Sequence, residues 1–141
     1  MPTNKNVSFY MEKELQKYLT PEAKNFFLCT WYRYMFPYIP FQTGLLASLM
    51  DLPEDKNKAK NLKLTADEAV LLGLESIEND PRNVIHFRAP YAERQYEGVD
   101  FNFTRDLHPL AQAHWAQVAA DLHGEQIIKE YAAFVKRSEN K

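Results

Sequence analysis

The stretch between Thr20-Pro21 and Pro37 restricts the folding of this chain more than any other. Thr20 can cap a helix, and Pro21 suits the first helical position, where an N–H has no intrahelical use and proline's φ is already helical. Pro37 disfavours helical geometry at the residue before it, so a helix is predicted from Pro21 to about Phe36. Its apolar residues are not confined to one stripe. Ala23, Phe27, Trp31 and Tyr34 make one face, while Leu28, Tyr32 and Met35 make another. A helix apolar on two sides has to be covered on two sides. Either it is the central core helix of a two-layer domain, or its second face meets a neighbouring subunit.

A chain of 141 residues is expected to form one domain over 1–141, burying roughly two thirds of the surface its unfolded form exposes. The 17 Lys plus Arg against 19 Asp plus Glu leave a net charge of -2, so no global basic field draws the chain to nucleic acid or an anionic membrane. The single cysteine, Cys29, has no internal disulfide partner and sits among Phe26, Phe27, Leu28 and Trp31, as a small buried hydrophobe would. No apolar run reaches the roughly twenty residues a membrane helix needs, and the first residues lack a signal peptide's apolar core. A protein made and kept in the cytoplasm, without membrane contact, is the expectation. Aromatic residues make up 13% of the chain, more than a core of this size comfortably hides, and these residue types are enriched at the centres of protein interfaces.

Residues 1–6 are polar and read as a loose end. Met11, Leu15 and Tyr18 or Leu19 have helical spacing and predict a short helix from Ser8. Pro37 and Pro40 hold Tyr38-Ile39 extended, Gln42-Thr43-Gly44 turns, and Leu45 to Leu52 reads as a moderate strand. Residues 53–63 read as an exposed charged loop, whose Lys56, Lys58 and Lys60 are solvated or touch phosphate. Thr65 and Glu68 form a capping-box pattern ahead of a helix from Ala66 to about Ile77 with Gly73 inside it. After a turn at 79–83, Val84-Ile85-His86-Phe87 is the best strand candidate, and Phe41, Ile85 and Phe87 are candidate sheet-side core residues. A short helix fits between Pro90 and Gly98, Phe101-Asn102-Phe103 reads as a loop, and Pro109 is predicted to start a long C-terminal helix with Ile127, Tyr131 and Phe134 on its buried stripe. The expected fold class is α+β, with helices at both ends packed on a small antiparallel sheet in the middle of the chain.

The spacing of reactive residues does not point to catalysis. His86, His108, His114 and His123 lack the three- or four-residue separation of a helical metal pair. Glu93, Glu97, Asp100 and Asp106 do not make the ligand-dense pattern of a calcium loop. Neither a nucleophile elbow nor a phosphate-cradling glycine loop is present. No metal, cofactor or enzymatic activity is therefore expected, although a small metal-dependent hydrolase using His86, His108 and nearby acids stays open as an alternative from another class. Tyr91, Tyr96, Phe101 and Phe103, with Arg88, Arg94 and Arg105 among them, instead have the composition of a binding hot spot. Together with Trp31, Tyr34 and Tyr38 they are the candidate interface residues. The competing reading is that several of these rings seal the core beneath the loop.

Two segments carry a resemblance. Pro37-Tyr38-Ile39-Pro40 with Thr43-Gly44-Leu45 is followed by Ala89-Pro90-Tyr91-Ala92, Tyr96 and Gly98, then Phe101-Asn102-Phe103 and His108-Pro109-Leu110-Ala111 leading to Trp115. In that order they resemble the minor capsid proteins of tailed bacteriophages and prophages, similar to neck or tail-completion (head-tail connector) proteins of long-tailed phages. The resemblance implies a structural virion protein without catalysis, located in the neck and made in the host cytoplasm. It implies an oligomeric ring, six- or twelve-fold, joined to neighbouring neck or adaptor proteins and to tail proteins, with passing contact to packaged DNA. A capsid-associated place outside the neck is the nearer alternative. A ring requires a heterologous contact and so two different sticky surfaces per copy, for which the helix 21–36 and the loop 91–103 are the candidates. The segment 51–80 departs from the family pattern.

Overall fold

The computed structural model describes residues 7–9, 20–98, 103, 105 and 107–139. Helix α1 (Pro21–Met35) begins where its caps dictate: Thr20 Oγ1 accepts a hydrogen bond from the Ala23 N–H (3.1 Å), and Pro21 opens the first turn. It passes directly into a 3-10 turn at Phe36–Tyr38. Helix α2 (Lys56–Lys60), helix α3 (Ala66–Asn79), helix α4 (Ala92–Tyr96) and helix α5 (Trp115–Glu139) complete the helical elements among the described residues. None of these is long and apolar enough to cross a membrane.

Both apolar faces of α1 are covered by the chain itself. Leu28, Tyr32 and Met35 are buried, with α3 packed on that side. Phe26, Phe27, Trp31 and Tyr34 face α5, where Phe26 stacks on Phe134 at 4.3 Å, Phe27 meets Tyr131 edge-on at 5.6 Å, and Trp31 Nε1 donates to the Ala116 carbonyl. Burying a side chain of this size is worth about 1.5–3 kcal/mol, so α1 is the element on which the other helices assemble.

This arrangement overturns the α+β expectation. Strand structure among the described residues is limited to β1 (Val7–Phe9) and β2 (Ile85–Phe87), paired antiparallel in the register Val7↔Phe87, Ser8↔His86 and Phe9↔Ile85. Three residues on each side do not make a layer, and the helices pack on one another instead of on a sheet. The segment from Leu45 is not a strand: residues 45–49 form consecutive turns, closed by Ser48 N–H to Gly44 O (2.9 Å) and Leu49 N–H to Leu46 O (3.2 Å), with Leu49 in the left-handed region at φ 65°. Leu, Ala and Met bury well but have little strand preference, so an apolar run satisfied its backbone locally.

Three other boundaries move. Ser8 and Phe9 lie in β1 and do not start a helix; residues 1–6 and 10–19, where the loose end and the rest of that helix were expected, are outside the described residues. The 53–63 segment is not all loop, because Asp55 Oδ1 accepts from Asn57 N–H (2.8 Å) and Lys58 N–H (3.2 Å) and so caps α2. Pro109 does not start the last helix. The Ala111 and Gln112 N–H groups are taken by His108 O and Tyr38 O, His114 turns into the left-handed region at φ 54°, and only then does α5 begin at Trp115. Gly124 lies inside α5 without breaking it.

The capping box at Thr65 and Glu68 is present on both arms, at 3.1 and 2.9 Å. Gly73, buried within α3, has a specific reason: a Cβ there would fall on the hydroxyl and ring of Tyr32. In an exposed helix, Gly→Ala stabilises by about 0.8–1 kcal/mol. Here Gly73→Ala is expected to destabilise by about 1–3 kcal/mol through overpacking, read as a lower midpoint in urea unfolding; a stabilised variant would mean that Tyr32 does not occupy this position.

Candidate interaction surface

Most of the rings singled out in the sequence are engaged inside the fold. Tyr38 is buried, with its hydroxyl 2.8 Å from His123 Nε2. Trp31 is half-buried against Phe9 and Ala116, and Tyr34 donates to the Glu130 carboxylate, which raises the phenol's pKa. Tyr96 is half-buried in an edge-on contact with Trp115 (4.7 Å) and a tilted one with Phe9 (5.1 Å). Trp115, fully buried, in turn meets Phe87 at 5.4 Å. Phe103 is half-buried, and Phe101 lies outside the described residues. Tyr91 is different: it is 39% exposed beside the Pro40–Leu46 segment, and burial of the remainder pushes its phenol up.

The three arginines also divide. Arg88 is a structural cation that donates to Ser76 Oγ (2.6 Å), Asp80 Oδ2 (3.1 Å) and the Leu49 carbonyl (3.2 Å). Arg94 and Arg105 are exposed, and Arg105 Nε donates to the Ala111 carbonyl. The candidate residues thus do not form one patch: Trp31, Tyr34, Tyr38, Arg88 and Tyr96 serve the interior, while Tyr91, Arg94 and Arg105 reach solvent.

The sequence reading missed the turn that follows Arg105. His108 is buried, and its Nδ1 lies 2.7 Å from the Ile39 carbonyl, which can only accept, so Nδ1 carries the proton. Its ring meets Phe36 at 4.6 Å and Phe41 at 4.9 Å, and its burial lowers the imidazole's pKa. Ala111 is also buried, and Gln112 N–H donates to Tyr38 O. Between and beside these anchors, Leu107 (52% exposed), Pro109 and Leu110 (54% exposed) project outward. A helix start was expected at this point, which would have placed Leu110 in a first turn; the apolar residues on both sides of His-Pro were the available signal.

The four histidines serve separate structural contacts. His86 Nδ1 lies 2.8 Å from Arg82, His114 Nε2 is 3.0 Å from Glu97, and His108 and His123 are held as described. Among the described residues, no three His, Cys, Asp or Glu side chains gather where a metal ion would fit. Burial first, then Arg88 and Arg82, lowers the pKa of His86. The Cys29 thiol is pushed up to about 11 by burial, with Glu78 adding to it, so it stays protonated and unreactive at neutral pH.

Comparison with known proteins found no matching family model, no matching curated protein and no matching solved structure.

Asp80 joins the end of α3 to β2. Arg82 donates from both Nε and Nη2, Arg88 adds a further bond, and these hold the carboxyl near 2 against an ordinary 3.8. The resulting stabilisation is present above the ordinary value and lost as the pH falls through about 2. Asp80→Asn is expected to cost about 1.5–3 kcal/mol at neutral pH and to flatten this acid limb of the stability curve. Urea unfolding as a function of pH checks it; an unchanged acid limb would show that another carboxylate carries the effect.

Proposed function

We propose that this chain is a structural subunit of a tailed-phage head-tail joint. Copies of it form a ring and meet neighbouring neck and tail proteins, and it performs no catalysis. The observation that carries this reading is the Leu107-Pro109-Leu110 turn. Isolated exposed leucines are ordinary on a protein surface. This turn is different because His108 and Ala111 hold it from beneath while Leu107, Pro109 and Leu110 are exposed. Apolar anchors held rigid before contact lose little conformational freedom on binding, which favours them as centres of an interface.

The resemblance gains support from how its residues sit. The two segments that carry it, 37–45 and 89–115, meet directly through His108 to Ile39 O and Gln112 N–H to Tyr38 O, and the second is closed on itself by His114 N–H to Tyr96 O. Within His108-Pro109-Leu110-Ala111, the outer two residues anchor and the inner two are displayed. The motif therefore reads as one unit that builds and presents a turn. Tyr91, Arg94 and Arg105 are the remaining exposed members of the candidate set.

A Leu107→Asp, Leu110→Asp double variant is expected to leave folding stability within about 0.5 kcal/mol, since both side chains are exposed. In a phage whose genome carries this reading frame, it is expected to abolish joined, infectious particles. Purified wild-type particles should contain the chain in multiple copies. Particles that lack the wild-type chain, or normal infectivity with the double variant, would overturn the proposal.

A further inference from the structure

The segment that departs from the family pattern holds two exposed surfaces of opposite charge. On α3, Asp67, Leu71, Glu75 and Glu78 follow one another at helical spacing and all are exposed, and the helix contains no Lys or Arg. Leu71, at the centre of this stripe, is 65% exposed. Glu75 and Glu78 stand toward the C-terminal end of α3, whose last turn holds no basic residue. A negative charge there opposes the helix macrodipole. Neither Glu75 nor Glu78 has an ion-pair partner within 4 Å among the described residues, although Arg88 and Arg33 line the depressions beside them.

The complementary surface precedes it. Lys56 and Lys60, one turn apart on α2, with Lys63 just beyond and Lys58 on the other side of the helix, are all exposed, and they too have no ion-pair partner among the described residues. Asp55, the acid nearest to them in the chain, is occupied in capping α2. Leu52, 45% exposed, lies at the start of this segment. Each surface thus has one predominant charge sign and one exposed leucine nearby in the chain, although Leu52 is itself flanked by exposed Asp51 and Glu54.

We infer that α2 of one copy docks on the acidic stripe of α3 of the next copy, with Leu52 and Leu71 covered between them. The contact joins two different patches, so it propagates head to tail and closes only through the rotation between copies. Exposed charges of this kind choose the partner and speed its approach, while the covered leucines hold it. The inference rests on the proposed ring for its head-to-tail sense, and the contact itself can be tested with the purified chain alone.

Lys56→Glu, Lys58→Glu, Lys60→Glu makes one variant, and Glu75→Lys, Glu78→Lys makes another. All five positions are exposed, so both variants should keep the wild-type circular dichroism spectrum. By sedimentation velocity at low salt, the wild-type chain is expected to form species larger than a dimer that dissociate as salt is raised. Each variant alone is expected to associate roughly tenfold more weakly or worse, and an equimolar mixture of the two should recover association because the reversed patches match each other. A monomeric wild type, an assembly that stops at two copies, or a mixture without recovery would overturn the inference. So would a lysine variant that self-associates normally but loses salt-sensitive binding to duplex DNA, which would make α2 a nucleic-acid contact. Recovery in the mixture, together with a chain missing from purified particles, would leave this contact standing and remove the head-tail assignment. Particles that contain the chain, with association indifferent to both reversals, would do the opposite.

Discussion

A single buried phenol sets the relation among the parts of this fold. Tyr32 is fully buried on α1, its hydroxyl donates to Ala47 O at 2.6 Å, and Ala69 O lies 3.4 Å away on α3. Burial pushes its ionisation far above the ordinary phenol range, so it is a donor at neutral pH. A buried hydroxyl without a partner costs about 1–3 kcal/mol, and the turn 45–49 supplies that partner while α3 packs alongside. Gly73 is what lets α3 approach that closely. The constraint then travels onward, because Ala47 is two residues before Leu49, whose left-handed backbone directs its carbonyl to Arg88. Arg88 holds Ser76 and Asp80, at the far end of α3, and so ties α3 to the residue following β2.

His108 plays the corresponding part on the other side of the core. It reaches sixty-nine residues back to Ile39 and fits its ring between Phe36 and Phe41, so the turn around it is held by a long-range hydrogen bond and two aromatic contacts. Burial lowers the imidazole pKa and outweighs the bond donated to Ile39 O, which acts in the opposite direction. Leu107 and Leu110 owe their fixed position to this arrangement. The backbone that carries them gives up its freedom during folding, which leaves less to lose when a partner covers them.

What could be read from the sequence was what local chemistry decides. Thr20-Pro21, the Thr65/Glu68 box and the β-branched start of β2 each act within a few residues, and the helices and strand they announce are present. The expected sheet failed where burial and periodicity part company. Leu45 to Leu49 is as apolar as a central strand, yet it is a buried run of turns whose shape is set by Tyr32 and Arg88, neither of which is near in sequence. The late start of α5 has the same origin, since Tyr38 O captures the Gln112 N–H that a helix from Pro109 would have used. Aromatic content misled for a related reason. It signalled contact surface correctly but did not reveal whose surface, and α1 and α5 use Phe26, Phe27, Trp31 and Tyr34 against each other.

Among the described residues, the large apolar side chains left exposed are spread over separate elements: Leu52 before α2, Leu71 on α3, Tyr91 before α4, Leu107 and Leu110 before α5, Leu122 and Ile128 along α5. Stable pairwise interfaces bury about 1,200–2,000 Å² in total, and a pair of leucines supplies only a minor part of that. A chain of this kind gains little from any one contact and much more from several made together, because in a closed assembly each later contact forms at high effective concentration. With a net charge of only -2, long-range repulsion between copies is slight, and orientation is left to the local patches on α2 and α3. Weak separate surfaces make each association reversible until ring closure lets them act in concert, and that property suits a subunit of the proposed ring.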